Sequence, residues 1–193
     1  MTITEEALLP AASAGELGLR HVSLEDAGLI QKLYGLTPGY FEIISIPLPS
    51  LSETRVELGL AIDDERRYVA LLTLKKEPVA GWSVRDPVTD RAAVGIIDYK
   101  LDYPAGGDAT VNLILIPTAL QGRGIGSSAV RLLEGKLAGR CTRLLAAIYG
   151  QNRRAQNFWK SLGYHFAIDA QPNLDWYAKE LPEAAAVASG ESE

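Results

Sequence analysis

The stretch Gln121–Ser128, QGRGIGSS, sets Gly122, Gly124 and Gly126 at alternate positions just ahead of an apolar helical pattern. Glycines so spaced remove Cβ atoms, letting several backbone N–H groups approach one ligand and adopt positive φ where needed. A helix starting there adds unpaired N–H donors and the positive end of its dipole. The chemistry this offers is anion binding, most naturally of a phosphate. The plainer reading of the same spacing is a tight strand-to-helix turn without a ligand.

Two familiar phosphate loops do not fit. A P-loop needs Lys and then Ser or Thr after its last glycine, whereas Gly126 is followed by Ser127 and Ser128. A dinucleotide loop follows its strand directly as G-x-G-x-x-G, with an acid about 20 residues on. Here the spacing is G-x-G-x-G, Pro117–Leu120 intervenes, and the next strand pattern, Arg143–Tyr149, ends without an acid. A dinucleotide oxidoreductase is therefore an outsider.

The elements that must position this loop are legible around it. Ser23 and Asp26 suit a capping box, and Ala27, Ile30, Leu33 and Tyr34 form a stripe, predicting a helix over 24–35. Ser50 and Glu53 suggest a second box and a short helix near 51–61. Tyr68–Lys76, Ala92–Tyr103 and Ala109–Ile116 are rich in strand formers, with turn-rich connections, and read as an antiparallel meander. Gly81–Val84 reads as a further strand or a hairpin extension. After the loop, Ile125, Ala129, Leu132, Leu133 and Leu137 mark a helix face stopped by Gly139. Arg143–Tyr149 is a strand. Ala155, Phe158, Trp159 and Leu162 then form a helix that Asn152 caps and Gly163 stops. YHFAI and WYAKEL close the domain as paired strands. The fold class is mixed α/β.

Composition bounds the function. With 193 residues, 47% hydrophobic and 22% charged, a single globular domain over 18–181 is expected. Segments 1–17 and 182–193, small and acidic, read as a flexible N-terminus and a disordered tail. A net charge of −5 gives no nucleic-acid footprint, and no apolar run suggests a membrane span. One cysteine, Cys141, and no signal-peptide pattern point to the cytoplasm. His21 and His165 stand apart, and no ligand spacing suggests a metal.

QGRGIG, Gln121–Gly126, resembles the Q/R-x-x-G-x-G/A pyrophosphate loop of the GNAT acetyltransferases. NRRAQNFWKSLGY, Asn152–Tyr164, is similar to that family's N-x-x-A-x-x-F-Y-x-x-x-G-F segment, in the expected order and separation. The resemblance implies a mostly antiparallel sheet flanked by helices, with two parallel strands, 109–116 and 143–149, splayed to admit acetyl-CoA as acyl donor. It implies backbone contacts to the pantetheine arm around Leu113, Leu115 and Ile116, and a pyrophosphate site at Gln121, Gly122, Arg123, Gly124, Ile125, Gly126 and Ser127. Asn152 touches the cofactor arm in such a site. A small-molecule or protein amine then attacks the thioester directly, on a bulged fourth strand whose N–H groups polarise the carbonyl. Tyr40, Phe41 and the nearby prolines would shape the acceptor side. Many members dimerise, so the resemblance also admits a homodimer.

The sequence departs from the family at the helix position that holds a proton-donating Tyr, which here is Trp159. Indole N–H is too weak an acid for that task. Tyr149 and Tyr164 are the candidate substitutes, and Asp98, sharing a strand face with Asp102, is the candidate base. The expected activity is N-acetyl transfer, with a weakly catalytic or non-catalytic acyl-CoA-binding module as the alternative.

Overall fold

The computed structural model describes residues 16–171 and 174–182. Seven strands form one sheet: β1 (Leu17–His21), β2 (Arg67–Leu74), β3 (Ala92–Leu101), β4 (Asp108–Leu115), β5 (Arg143–Tyr149), β6 (His165–Gln171) and β7 (Leu174–Glu180). Their spatial order is β1-β2-β3-β4-β5-β7-β6, and every neighbouring pair is antiparallel except β4–β5. Helices α1 (Ala27–Gly35), α2 (Pro38–Ile44) and α3 (Leu51–Asp63) precede β2, α4 (Ile125–Leu137) joins β4 to β5, and α5 (Arg153–Ser161) follows β5.

Strand alternation divides the core into two layers. Ala70, Leu72 and Leu74 of β2 pack with Leu133 and Leu137 of α4 and Trp159 of α5, whereas Leu71 packs with Ile30, Leu33 and Leu58 of α1 and α3. Two bulges reverse this alternation. In β3, Ala92 and Val94 face α4, but after the shift opposite Leu72/Thr73 it is Ile97, Tyr99 and Leu101 that do. Asp98 is thereby turned toward the side of α1 and α3, in the cavity it shares with Tyr34 and Glu57. The second bulge leaves Asn112 of β4 without a Cα partner between the pairs Asp98–Leu113 and Tyr99–Val111. An extra residue of this kind bends a strand and re-aims its side chains. Here Asn112 and its neighbour Leu113 enter one cavity together.

The bulge in β4 coincides with the end of its ladder to β5. Four parallel pairs run from Asp108–Arg143 to Val111–Ala146 and then stop. Arg143 donates to Asp108 through Nε (3.0 Å) and Nη2 (2.6 Å), clamping the closed end. Beyond it β4 keeps β3 and β5 keeps β7, so the sheet forks without either strand losing its outer neighbour. The strands predicted at 109–116 and 143–149 are thus parallel and splayed as expected.

Other expectations meet differences. β1 and α2 have no counterpart in the sequence reading. Gly81–Val84 forms no strand; Arg85 makes an isolated bridge to Ala92, and the Trp82 indole donates to the Ala93 carbonyl at 3.0 Å. Asp102 does not share a strand face with Asp98, since it lies past β3 with φ 51° and accepts from the Gly107 N–H. Residues 1–15 and 183–193 of the segments read as loose ends lie outside the described residues, and Leu17 already opens β1. Among the described residues no helix is long and apolar enough to cross a membrane.

One buried ion network seats α1. Arg20 of β1 bridges Asp26, just before α1, and Asp86, both at 2.7 Å, and Asp86 is fully buried. Burial alone would push both carboxyls up, but hydrogen bonds from Arg20, aided by Ser23 at Asp26 and by Thr89 and Val88 at Asp86, hold both below the usual range. Such depressed groups stabilise the fold fully above their unfolded values, roughly pH 4 to 5, and lose that contribution as pH falls further. Arg20→Met should cost about 3 kcal/mol in urea unfolding at pH 7, because it orphans two buried carboxylates. That deficit should narrow as the pH is lowered through about 4 toward 2, where the bridged carboxyls take up protons; a deficit unchanged over that range would mean that the carboxyls do not titrate through this bridge.

Candidate functional site

The glycine loop leaves β4 through Pro117 and a single 3-10 turn, Thr118–Leu120. The Gln121 side-chain amide closes the turn by donating to the Ile116 carbonyl at 2.7 Å. Gly122 (φ 77°) and Gly124 (φ 76°) both adopt the left-handed conformation, and α4 begins at Ile125. A Cβ on Gly126 would sit 3.4 Å from the Phe158 ring of α5, so this glycine keeps the floor of the loop open. Bare, upward-facing backbone at a helix start is the geometry that receives a phosphate.

This loop borders a cavity of about 770 Å³. Its walls include Ile114, Leu115 and Ile116 from the open edge of β4, then Gln121, Gly122, Gly124, Ile125, Gly126 and Ser127. Asn152, whose Oδ1 also caps α5 by accepting from the Ala155 N–H at 3.0 Å, lies in the same wall, so its two expected roles coexist. Arg123 is exposed and outside the lining; its Nε reaches back to the Ala119 carbonyl. The lining cation is Arg154, which sequence reasoning passed over. Trp159 also borders this cavity, 3% exposed and edge-on to Phe158 and Tyr164.

A second cavity of about 810 Å³ lies on the other side of α2. Tyr40 and Ile43 of α2 line both cavities and form the boundary between them. α2 reaches this place by local means: Pro38 opens it at its first turn, and Ser45 in the left-handed conformation (φ 56°) closes it. Ser45 N–H donates to Glu42 and Ile46 N–H to Phe41, the double bond pattern of a Schellman end. Gly150 (φ 62°), directly after β5, lets α2 come close, for its Cβ would lie 3.4 Å from the Ile43 carbonyl.

The polar floor of the second cavity is one cluster. Arg67 donates to Asp98 through Nη2 (2.6 Å) and Nε (3.1 Å), and Asn112 Nδ2 donates to Asp98 Oδ1 at 3.0 Å. Asp98, expected as a base, is 5% exposed and already committed to these donors. It is the counter-ion of Arg67, and protonating it would break the pair. Glu57 of α3 lines the cavity with no ion-pair partner among the described residues. Burial, then the charges of Glu57 and Asp98, push the Tyr34 hydroxyl up to about 12 against the pull of Arg67. Burial and the neighbours Tyr149, Tyr34 and Asp98 raise Tyr40 further, so its phenol keeps its proton at any working pH.

The remaining expected residues divide. Tyr149 lines the second cavity and is 45% exposed, at the end of β5. Leu113 lines that cavity rather than the first. Tyr164 borders neither: it is 2% exposed and donates to Glu134, which Lys179 also bonds. The hydroxyl of Tyr164, expected as a proton donor, is thus tied into the α4 side of the core and away from both cavities.

The chain belongs to the acetyltransferase (GNAT) family, whose model matches residues 45–164. An acetyltransferase from Thermus thermophilus is 34% identical, with 86% of this chain and 97% of that one covered and a TM-score of 0.74. A ribosomal L7/L12 alpha-N-protein acetyltransferase in complex with coenzyme A is 16% identical over 89% and 97%, TM-score 0.65. A spermidine N-acetyltransferase from Vibrio cholerae, in complex with CoA and spermine, is 12% identical over 86% and 96%, TM-score 0.64. The last two likenesses are of fold. No curated protein matches the chain.

Arg67→Met would leave the nearly buried Asp98 with Asn112 as its one remaining side-chain donor. The expected cost is about 1–3 kcal/mol, moderated because Arg67 itself is partly exposed. Urea unfolding measures it, and a change within about 0.5 kcal/mol, ordinary for a surface substitution, would deny the cluster its structural weight.

Proposed function

We propose that this protein is an acetyl-CoA-dependent N-acetyltransferase that moves the acetyl group to an amine by direct attack on the thioester. The observation that supports this most is that two cavities meet at Tyr40 and Ile43, beside the open edge of the forked sheet. One has a phosphate-receptive loop and a free strand edge; the other has aromatic rings and one carboxylate, Glu57, suited to an amine. A site that joins two substrates needs this adjoining pair.

On this reading the N–H groups of Gly122 to Ser127 hold the pyrophosphate, with Arg154 near to supply charge. The strand edge at Ile114–Ile116 pairs with the pantetheine amides as an added strand would. The bulge at Asn112 presents backbone N–H groups where oxyanion charge develops. The amine nitrogen bonds to the carbonyl carbon and the carbon–sulfur bond breaks. Tyr40, at the boundary of both cavities and still carrying its proton, donates a hydrogen bond to the departing thiolate, which then takes up a proton from solvent. The amine's own proton leaves through the open mouth at Tyr149. Asp98 keeps Arg67 in place and Tyr149 borders the acceptor. Trp159 packs the wall.

Gly124→Glu forces a side chain and a negative charge into the loop at positive φ. Calorimetry should then register no binding of coenzyme A, while circular dichroism of the free protein stays native. Unchanged affinity would count against the loop as the phosphate site. Tyr40→Phe should lower kcat about 10- to 100-fold at unchanged KM for acetyl-CoA, the loss expected for one hydrogen bond to a charged leaving group. If kcat survives intact, Tyr40 is not the donor. Tight coenzyme A binding without turnover of any amine would assign the chain to the non-catalytic module.

A further inference from the structure

The acceptor cavity has an uneven chemical inventory. Three charged side chains line it: Arg67, Asp98 and Glu57. The first two cancel, with Nη2–Oδ2 at 2.6 Å and Asp98 saturated further by Asn112. One negative charge is left over, on Glu57. Around it stand the rings of Tyr34, Tyr40, Phe41 and Tyr149, whose faces attract an alkylammonium. Apart from Ser45 and Asn112 the rest of the wall is mostly aliphatic, and much of it is open to water: Ile43 is 44% exposed, Ile46 53% and Leu60 65%. Large apolar side chains facing solvent on the rim of a binding cavity mark where an apolar partner is covered.

These features select among amines. A polyamine or an aminoglycoside brings several ammonium groups, and each one taken from water needs its own anionic partner. This cavity offers one. An amine with a single positive charge and an apolar body satisfies both halves of the inventory, since Glu57 meets the ammonium and Ile43, Ile46 and Leu60 cover the body. We infer that the acceptor is a small hydrophobic monoamine, a primary amine joined to an aliphatic or aromatic group, held by Glu57 and the apolar rim formed by α2 and α3. This rests on the acyl-transfer reading for the identity of the cavity as the acceptor's.

The test uses the full chain saturated with coenzyme A, titrated calorimetrically with n-alkylamines from butylamine to octylamine, with spermidine and with a short peptide bearing a free N-terminus. Thiol release with acetyl-CoA is followed for the same panel. Affinity should rise about threefold to fourfold per added methylene, the increment expected for burying one CH₂. Spermidine should bind at least tenfold more weakly than heptylamine. Glu57 is exposed, so Glu57→Gln should weaken every alkylamine about twofold to fivefold, the range of a solvent-exposed ion pair, and leave coenzyme A binding unchanged. Leu60→Gln, at a position exposed enough to leave folding intact, should flatten the dependence on chain length. A flat series in the unsubstituted protein, or tighter binding of spermidine or of the peptide, overturns the inference. If the series rises in calorimetry but no amine releases thiol, acyl transfer to amines fails while the class of ligand that the cavity binds stands.

Discussion

The structure turns on the fork between β4 and β5. A parallel ladder that continued past Val111 and Ala146 would satisfy every backbone group and leave nothing for a ligand to bond. The Arg143–Asp108 pair holds the closed end together, and the bulge at Asn112 bends β4 away immediately after the last pair. Because β3 and β7 continue to pair the outer edges, opening the sheet costs hydrogen bonds only along the inner ones. Buried backbone groups without partners are rare in proteins, so a gap of this kind is stable where water or a peptide-like ligand fills it. The pantetheine arm proposed above, with two amides of its own, is such a ligand.

The two sides of the fork are built by different means. The loop side depends on backbone: left-handed glycines at 122 and 124, a Gln121 amide closing the turn, and a helix start. The acceptor side depends on side chains gathered from α1, α2, α3, β2, β3, β4 and β5, and it needs ion pairs to hold them in register. The Arg67–Asp98–Asn112 cluster ties β2, β3 and the bulge of β4 into one piece, while Arg20 with Asp26 and Asp86 fixes the entry of α1, whose Tyr34 faces that cluster. Buried pairs of this sort contribute less to net stability than to a defined arrangement, and breaking either by removing one partner is costly.

This difference explains what is legible in the sequence. The loop is contiguous, and its glycines report their own backbone needs, so Gly122, Gly124, Gly126, Ile125 and Ser127 can be read together as one wall; the strands on either side of the fork are legible for the same local reason. The acceptor wall is not contiguous. Glu57, Arg67 and Tyr34 are ordinary residues in separate elements, and only the packing of α1 and α3 over β3 brings them together. α2 escapes a reading by periodicity because a seven-residue helix that begins at Pro38 gives too short a stripe to register, although a proline at a helix start is itself a signal. Pairing Asp98 with Asp102 assumes an unbroken alternation, which the turn at Asp102 interrupts. Tyr164, next to the right motif, points into the α4 side of the core because the chain has already left α5 through Gly163.

The replacement at Trp159 then has a physical reading. An indole at that place, 3% exposed between Phe158 and Tyr164, packs in the core that α5 shares with α4 and backs the Phe158 ring that lies beneath Gly126. It removes a proton donor from the cofactor side of the fork. Tyr40 approaches the same junction from the opposite side, on a helix whose position is set by Pro38 and by the close contact of Gly150 with the Ile43 carbonyl. On the proposed reading, a donor on α2 would belong to the acceptor wall as well as to the cofactor wall, so the element that covers the amine would also donate the hydrogen bond to the thiolate. Substrate binding and leaving-group stabilisation would then be properties of one short helix, and a change that shifts α2 would alter both together. With both tasks placed there, the glycine loop and β4 could stay rigid while the residues of α2 and α3 set the acceptor preference.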